Sequence, residues 1–283
     1  MIVSGVYWVE FIRSSGRKVA AADERDGTSR YNFGFREPEG IFCMNASTPK
    51  MTTDEIRVRF DTEVERFSNL QTGQTALMDA PLMLDLIAEA AALTNPNATA
   101  ACDLGCGAGN YTLKLLARLP DLEMTMIDLS RPMLEKAQER VQPVAKHPVT
   151  IIQQDMRGVD FGIGKFDILM AAATLHHLRT DDEWRGVFQN IFASLKPGGS
   201  FWICDLINDS TGPITKQMWN RWSEYLVGYK GEAYRADVLD YVDREDTPKP
   251  LMWQVDLLKS VGFQTIEILH KNACFAAFGA IKS

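Results

Sequence analysis

The middle of the chain alternates between short apolar runs and stretches in which apolar residues recur at helical spacing. The apolar runs are TAACDL, EMTMIDL, VTIIQQD, FDILMAAA and SFWICDL, and their length and composition predict strands. The stretches between them predict helices near 109–119, 130–142 and 181–195. Strands that alternate with helices along a chain indicate a parallel sheet with helices on both faces.

Two helices are predicted before this alternating region. Apolar residues recur every three or four positions in MTTDEIRVRFDTEVERF, which predicts one helix that begins at Thr53 or Asp54 and runs through Phe67. In DAPLMLDLIAEAAAL, Asp79 is the expected helix cap and Pro81 lies in the first turn.

The pattern changes again after Leu206. Residues 208–250 are polar and rich in aromatic side chains, which predicts a helical insertion, and PLMWQVDLLKSV predicts a further helix. The runs FQTIEIL and ACFAAFGAI predict two closing strands. Because only HKN separates them, we expect an antiparallel hairpin at the end of the sheet.

The start of the chain lacks this regular pattern. Residues 1–50 are rich in Gly, Ser and Arg, and most of the stretch is typical of a loop or of disorder. The sequence therefore predicts a disordered or non-native extension over 1–50 and one domain over 51–283. The alternative is an arm that covers the active site or contacts another subunit in a homodimer.

Composition limits the kinds of partner that the chain can bind. The 283 residues carry a formal net charge of −7, and 24% of them are charged. An acidic chain lacks the basic surface that non-specific binding to a nucleic-acid backbone requires. No apolar run approaches the length of a membrane span. We therefore expect neither direct nucleic-acid binding nor a membrane partner.

The five cysteines do not suggest a disulfide framework or a metal site. They form no C-x-x-C pair, and their number is odd. Buried thiols of this kind are typical of a reducing compartment, so we expect a cytoplasmic protein without a bound metal.

A glycine-rich turn, ACDLGCGAGN, follows the first predicted strand and leads into a helix. Its glycines are Gly105, Gly107 and Gly109, whereas a dinucleotide-binding turn would have a third glycine at Asn110. Asp103, two residues before the first glycine, suits a cationic group better than a pyrophosphate, which it would repel. A nicotinamide-dependent dehydrogenase is therefore the weaker interpretation of this turn.

Polar residues also follow three later strands, at the edge where open parallel sheets bind their ligands. Asp128 is placed to accept both hydroxyls of a ribose, or to cap the next helix, which Ser130 could do equally well. Asp155 beside Met156 suits an adenine ring, the alternative being a solvated loop acid. A histidine pair follows the fourth of the predicted strands.

These motifs together resemble one family. CDLGCGAGNYT, the acid at 128, DM at 155–156 and FDILMAAATLHHL…LKPGGSFWICD are similar to the class I S-adenosylmethionine-dependent methyltransferases. The resemblance covers about residues 53–283. It implies a Rossmann-like, seven-stranded α/β sheet in the order 3-2-1-4-5-7-6 with strand 7 antiparallel.

The resemblance also implies a cofactor, S-adenosyl-L-methionine, and a set of residues that bind it. Asp103 would face the amino-acid end of the cofactor, while Gly105 and Gly107 would let the backbone approach it. Asp128 would hold the ribose. The remaining implied cofactor contacts are Leu129, Asp155, Met156 and Ala172.

The methyl acceptor is expected to be a small organic molecule. His176 and His177 are the candidate bases, although one of the pair is expected to be structural. In the 208–250 insertion, Trp222 and Tyr225 lie on one helical stripe, which is interpreted either as a lid over the acceptor or as core packing.

Two other functions are compatible with the sequence. The end of the chain and its first helix are similar to carboxy-S-adenosylmethionine synthases, enzymes of a tRNA-modification route, and in that case Arg235 would bind the extra carboxylate. The third possibility is a regulator that binds S-adenosylmethionine without catalysis.

Overall fold

The computed structural model describes residues 48–69 and 75–283. The predicted disorder of the first residues falls mainly on 1–47 and lies outside the described residues. Thr48 donates to Asp243 at 2.6 Å, and the Lys50 ammonium donates to the backbone carbonyl of Asp246 at 2.8 Å. Residues 48 and 50 therefore contact the predicted 51–283 domain, whose boundary at 51 stays a prediction.

A seven-stranded sheet forms the centre of the fold, in the order β3-β2-β1-β4-β5-β7-β6. Strands β1 to β5 pair in parallel, and β7 runs antiparallel between β5 and β6. This confirms the predicted order and the antiparallel last strand. The strands are β1 Ala100–Leu104, β2 Glu123–Asp128, β3 Thr150–Gln153, β4 Phe166–Ala172, β5 Leu195–Leu206, β6 Thr265–Asn272 and β7 Phe275–Ile281.

Helices cover both faces of this sheet. The described helices are α1 Thr53–Thr62, α2 Val64–Ser68, α3 Ala80–Thr94, α4 Asn110–Leu116, α5 Arg131–Val141, α6 Asp181–Ser194, α7 Gly212–Glu245 and α8 Leu251–Val261. Two short 3₁₀ turns, Met156–Gly158 and Leu175–His177, follow β3 and β4.

The sheet separates two hydrophobic cores, because successive side chains of a strand point to opposite faces. Met170 of β4 packs with residues of α3, α4, α5 and α7. Its neighbour Leu169 packs with residues of α6 and α8 on the other face. Both side chains are fully buried. The central strands are therefore apolar on both faces, and polar side chains gather at their carboxyl ends.

Three local features differ from the sequence-based expectations. The first predicted helix is interrupted at Glu63, whose carboxylate accepts from both Arg59 and Arg66. Asp79 takes the predicted N-cap position of α3, but its backbone is left-handed and its side chain makes no capping hydrogen bond, because the carboxylate accepts from Asn272 at 2.8 Å. HKN belongs to β6, and the hairpin turns at Ala273, where φ is 49°.

The 208–250 region is helical, as predicted, but its long helix is bent. Helix α7 has 34 residues and contains Gly231 with φ 85° and ψ 179°. Such backbone angles suit a residue without a Cβ atom. Gly231 therefore divides α7 into two segments, and both contribute buried side chains to the same core. Among the described residues, no helix combines the length and hydrophobicity needed to cross a membrane.

Candidate active site

The glycine turn joins β1 to α4 and is tightly bound to the end of β2. Gly105, Gly107 and Gly109 have φ values of 68°, 49° and 81°, which side chains disfavour. The N–H of Gly105 donates to the carbonyl of Ile127 at 2.8 Å. A Cβ atom on Gly105 would lie 2.3 Å from Oγ1 of Thr174, so this position also lacks space for one. Both the conformation and the packing therefore require glycine at 105.

A first cavity lies beside this turn, at the carboxyl ends of the strands. Its empty volume is about 1040 Å³, which includes the space at its opening. Seven of the predicted cofactor residues line it: Gly105, Gly107, Asp128, Leu129, Asp155, Met156 and Ala172. Their contact with a cofactor stays a prediction. Sequence reasoning missed further lining residues, namely Thr53, Ile56, Phe60, Met133, Gln154, Arg157 and Thr174.

Asp103 does not line this cavity. Its carboxylate is buried and accepts a hydrogen bond from the Thr112 hydroxyl at 2.6 Å. Burial raises the pKa of Asp103 to about 6, although the Thr112 hydrogen bond opposes this. Asp103 could therefore act on the amino-acid end of the cofactor through its charge and not through direct contact. This role stays a prediction.

Asp128 is part of the wall that the glycine turn forms. One carboxylate oxygen accepts from the Gly107 N–H and the other from the Ser130 N–H, each at 2.8 Å. Ser130 caps α5, because its hydroxyl accepts from the Met133 N–H. Burial raises the pKa of Asp128 above its ordinary value. Asp128 is therefore not needed as a helix cap, and its carboxylate borders the cavity.

Arg157 donates two hydrogen bonds to the Asp155 carboxylate. Oδ1 of Asp155 accepts from the Arg157 backbone N–H at 2.9 Å and from the Arg157 Nε at 2.8 Å. The same guanidinium donates to the Thr53 hydroxyl at 2.9 Å. Arg157 thus connects the loop after β3 to α1, which covers the first cavity.

A second cavity, of about 620 Å³ of empty space, adjoins the first. Five residues line both: Phe60, Phe67, Leu77, Ala173 and His177. Its other lining residues are mostly aromatic or charged and are Arg59, Arg66, Ala76, His176, Leu206, Trp222, Tyr241, Val242, Asp246 and Phe275. The two cavities are therefore contiguous, with His177 at their junction.

His176 lies between two buried carboxylates. Its Nδ1 contacts Asp205, whose side chain also accepts from the backbone N–H groups of Leu175, His176 and Leu206. Its Nε2 lies 3.6 Å from Oδ1 of Asp246. Burial opposes a charge on His176, but the carboxylates of Asp246 and Asp205 raise the pKa of His176 to about 9. His176 is thus the more firmly held of the two histidines.

His177 faces both cavities and contacts the same carboxylate. Its Nδ1 lies 3.3 Å from Oδ1 of Asp246, and its ring packs edge-on against Phe60. Sequence reasoning missed Asp246 and Asp205. The position of Asp205 in ICDL, near the end of a predicted strand, was an available signal, whereas nothing in the sequence singled out Asp246.

Of the three residues predicted to bind the acceptor, one lines either of the two cavities described. Trp222 lines the second cavity and donates to the carbonyl of Ala76 at 2.6 Å. Tyr225 and Arg235 line neither cavity. Arg235 instead pairs with Glu232 at 2.9 Å on the same helix. The insertion therefore contributes one wall through Trp222, and the structure does not bring Arg235 to the site.

Comparison with known proteins identifies the family. Residues 101–199 match the model of a methyltransferase domain. "Putative methyltransferase YqeM" of Bacillus subtilis (strain 168) is 30% identical over 186 residues, 57% of this chain and 72% of the relative. The demethylmenaquinone methyltransferase of Lactococcus lactis subsp. lactis (strain IL1403) is 27% identical over 64% of this chain and 72% of the relative. The carboxy-S-adenosyl-L-methionine synthase of Campylobacter lari is 25% identical over 64% of this chain and 76% of the relative.

Solved structures share the fold at lower identity. Human N-acetylserotonin methyltransferase, solved in complex with SAM, superposes with a TM-score of 0.55 at 18% identity, covering 82% of this chain and 60% of that one. An O-methyltransferase family protein from Burkholderia thailandensis gives a TM-score of 0.59 at 18% identity, covering 80% and 62%. The chain thus spans about three fifths of the length of these two structures. From its fold, its glycine turn and these relatives, the chain belongs to the S-adenosylmethionine-dependent methyltransferases.

Proposed function

We propose that this enzyme transfers the methyl group of S-adenosylmethionine to a small organic acceptor bound in the second cavity. The observation that carries the proposal is the shared wall of the two cavities, in which Phe60, Ala173 and His177 line both. A donor in the first cavity and an acceptor in the second would meet at this wall.

The first cavity suits the donor in both shape and charge. Gly105 and Gly107 give backbone access, and Asp128 has a carboxylate at the rim that can accept from ribose hydroxyls. Asp155 and Met156 offer an acceptor and an apolar surface to an adenine ring. Asp103 adds a carboxylate behind the turn that complements a cationic ligand.

Methyl transfer requires little more than alignment from the protein. A lone pair of the acceptor forms a bond to the methyl carbon while the carbon–sulfur bond breaks, which leaves a neutral thioether. An acceptor atom that carries a proton passes this proton to a base or to water. Because the sulfonium is already activated, the main gain comes from holding the two reactants in line. The aromatic lining of the second cavity, including Trp222 and Phe275, suits the body of an organic acceptor.

Carboxy-S-adenosylmethionine synthesis is a second candidate, because the Campylobacter lari relative carries that name. Such a product needs a cation for its extra carboxylate. Arg235 lines neither cavity, while Arg59 and Arg66 line the second but already pair with Glu63. These contacts favour methyl transfer over the second candidate.

The mass of the small molecule released on denaturing the purified protein separates the two candidates. We expect S-adenosylmethionine, its demethylated product or neither. A mass greater by one carboxyl group would instead assign the enzyme to carboxylated-cofactor synthesis.

The position of the acceptor is tested with Trp222→Leu and a matched control, Trp253→Leu, which alters a tryptophan outside both cavities. With any acceptor found by screening for transfer of labelled methyl, Trp222→Leu should raise the acceptor KM and leave the affinity for S-adenosylmethionine unchanged. Equal effects of the two substitutions on the acceptor KM would contradict the placement of the acceptor.

A further inference from the structure

We propose that His176, His177 and Asp246 form a binding site for a divalent transition-metal ion, such as Zn²⁺, in the wall of the second cavity. One ligand atom from each residue lies within 4.8 Å of the others. Two imidazoles and a carboxylate are among the common ligands of Zn²⁺ in proteins.

The distances between the ligand atoms suit a tetrahedral ion. Bonds of about 2.0–2.1 Å at tetrahedral angles place neighbouring ligand atoms about 3.4 Å apart. Oδ1 of Asp246 lies 3.3 Å from Nδ1 of His177 and 3.6 Å from Nε2 of His176. Two of the three distances between ligand atoms therefore already suit the ion. The third distance, between the two histidine nitrogens, would need to shorten by at most about 1.4 Å.

Two of the three ligand atoms are buried without a hydrogen bond. Oδ1 of Asp246 and Nδ1 of His177 have no hydrogen-bond partner among the described residues, although they face each other. The Asp246 side chain is only 5% exposed. Buried polar atoms are rarely left unpaired, and an ion bound between them would satisfy both.

The carboxylate behind His176 orients this histidine as a ligand. Asp205 holds Nδ1 and is itself fixed by three backbone N–H groups. Nε2 is therefore the nitrogen that faces Asp246. Metal-binding histidines commonly donate their other N–H to a carboxylate in this way.

Hydrogen bonds connect the two chain segments that carry the ligands. The Thr247 N–H, next to Asp246, donates to the backbone carbonyl of His176 at 2.8 Å, and the Thr247 hydroxyl donates to that of Leu178. The ligands, 70 residues apart in sequence, are thus held together before any ion binds.

The surrounding cations are largely engaged elsewhere. Arg59 pairs with Glu63 and Glu245, and Lys50 donates to the backbone carbonyls of Asp243 and Asp246. Arg179, whose charge also acts on Asp246, donates from Nη2 to the Met51 carbonyl at 3.2 Å, while its Nη1 has no hydrogen-bond partner among the described residues. A proton is the competing occupant of the cluster, held either by His176 between Asp205 and Asp246 or by Nδ1 of His177 beside Asp246. The experiment below distinguishes the ion from this proton.

All three ligands line the second cavity, and an ion with three protein ligands would have a fourth position for another group. An ion at that position would polarise an acceptor oxygen bound to it. This consequence rests on the proposed function, but the site itself does not, because it is tested with metal alone.

The test is a calorimetric titration of the tag-free protein with Zn²⁺, after dialysis against EDTA, and a parallel titration with Co²⁺ followed by visible absorption. We expect one ion per chain with a dissociation constant of micromolar order or tighter. Asp246→Asn and His177→Gln should each weaken binding by at least about tenfold, and Asp205→Asn by about 10- to 100-fold.

The control is His270→Gln, since His270 pairs with Asp79 and lines neither cavity. This variant should bind the ion as the wild type does. Absence of saturable binding by the wild-type protein overturns the proposal without any variant. Equal affinity of the wild type, Asp246→Asn and His177→Gln also overturns it, and His177→Gln suffices if Asp246→Asn does not fold.

Discussion

The Asp128 carboxylate accepts a hydrogen bond from the Gly107 N–H at 2.8 Å, so the acid at the end of β2 is built into the glycine turn at the end of β1. The turn and the acid therefore hold each other in place at the rim of the first cavity. Gly105 donates to the neighbouring Ile127 carbonyl and strengthens the same junction. A single substitution at this junction should change both the binding of the cofactor and the stability of the fold.

Asp128→Ala is expected to weaken binding of S-adenosylmethionine by about 10- to 100-fold or more, because each charge-assisted hydrogen bond to a ribose hydroxyl contributes about 1.5–3 kcal/mol. The same change should lower the free energy of unfolding, because the Gly107 and Ser130 N–H groups lose their acceptor. Calorimetry and urea unfolding measure the two effects. Asp121→Ala, at an exposed aspartate paired with Lys146, is the control. Unchanged affinity would limit Asp128 to a structural role.

Gly105→Ala is expected to disrupt the first cavity. Its Cβ atom would lie 2.3 Å from Thr174 Oγ1, in addition to the strain of a φ of 68°. Gly164→Ala is a matched control, because Gly164 has a φ of 57° but nothing within 4 Å of a Cβ atom. The control should lose only about 1–2 kcal/mol of stability from backbone strain. Equal losses of stability in the two variants, with cofactor binding retained, would show that the Thr174 side chain moves to accommodate the added Cβ atom.

Asp103 should make stability depend on pH. The pKa of Asp103 is about 6 in the folded protein and near 3.8 in the unfolded chain. Between pH 3.8 and pH 6 the folded state therefore binds more protons than the unfolded state. The free energy of unfolding should therefore fall as pH rises from about 4 to about 6, by up to about 3 kcal/mol from this group. Asp103→Asn keeps an acceptor for Thr112 and should remove this part of the slope in urea unfolding. An identical pH profile for wild type and variant would contradict a raised pKa.

Residues 48–50 should contribute to stability. A chain that begins at Met51 loses the hydrogen bonds of Thr48 and Lys50, whereas one that begins at Met44 keeps them. With net contributions of about 1 kcal/mol each, the shorter chain should melt several degrees lower. Calorimetric melting of the two chains measures the difference, and equal melting temperatures would support the predicted domain boundary at residue 51.

The site residues that could be predicted are those at the ends of predicted strands, because the parallel sheet places these ends side by side. Asp128 and Asp155 could be found because each follows a predicted strand, and parallel strands bring their carboxyl ends to one edge. Asp246 and Arg157 could not be found in this way. Asp246 reaches the site because the end of α7 lies beside the turn after β4, where the Thr247 N–H donates to the His176 carbonyl. Arg157 contacts Thr53, which is 104 positions away.

The helix boundaries show a similar limit. The apolar spacing through Phe67 is compatible with one helix, but Glu63 interrupts it where its carboxylate binds Arg59 and Arg66. Asp79 takes the N-cap position of α3 as predicted, yet its carboxylate contacts β6 instead of the N–H groups of the helix. In both cases contacts between side chains overrode the local preference.

The most direct test of the central claim is a calorimetric titration of the wild-type protein with S-adenosylmethionine, S-adenosylhomocysteine and NAD in turn. The first cavity has glycines for backbone approach, a carboxylate at its rim and another behind the turn, a combination that favours the sulfur compounds over a pyrophosphate. We predict saturable binding of both sulfur compounds at one site per chain and no response to NAD. Binding of NAD without a response to either sulfur compound would contradict the account.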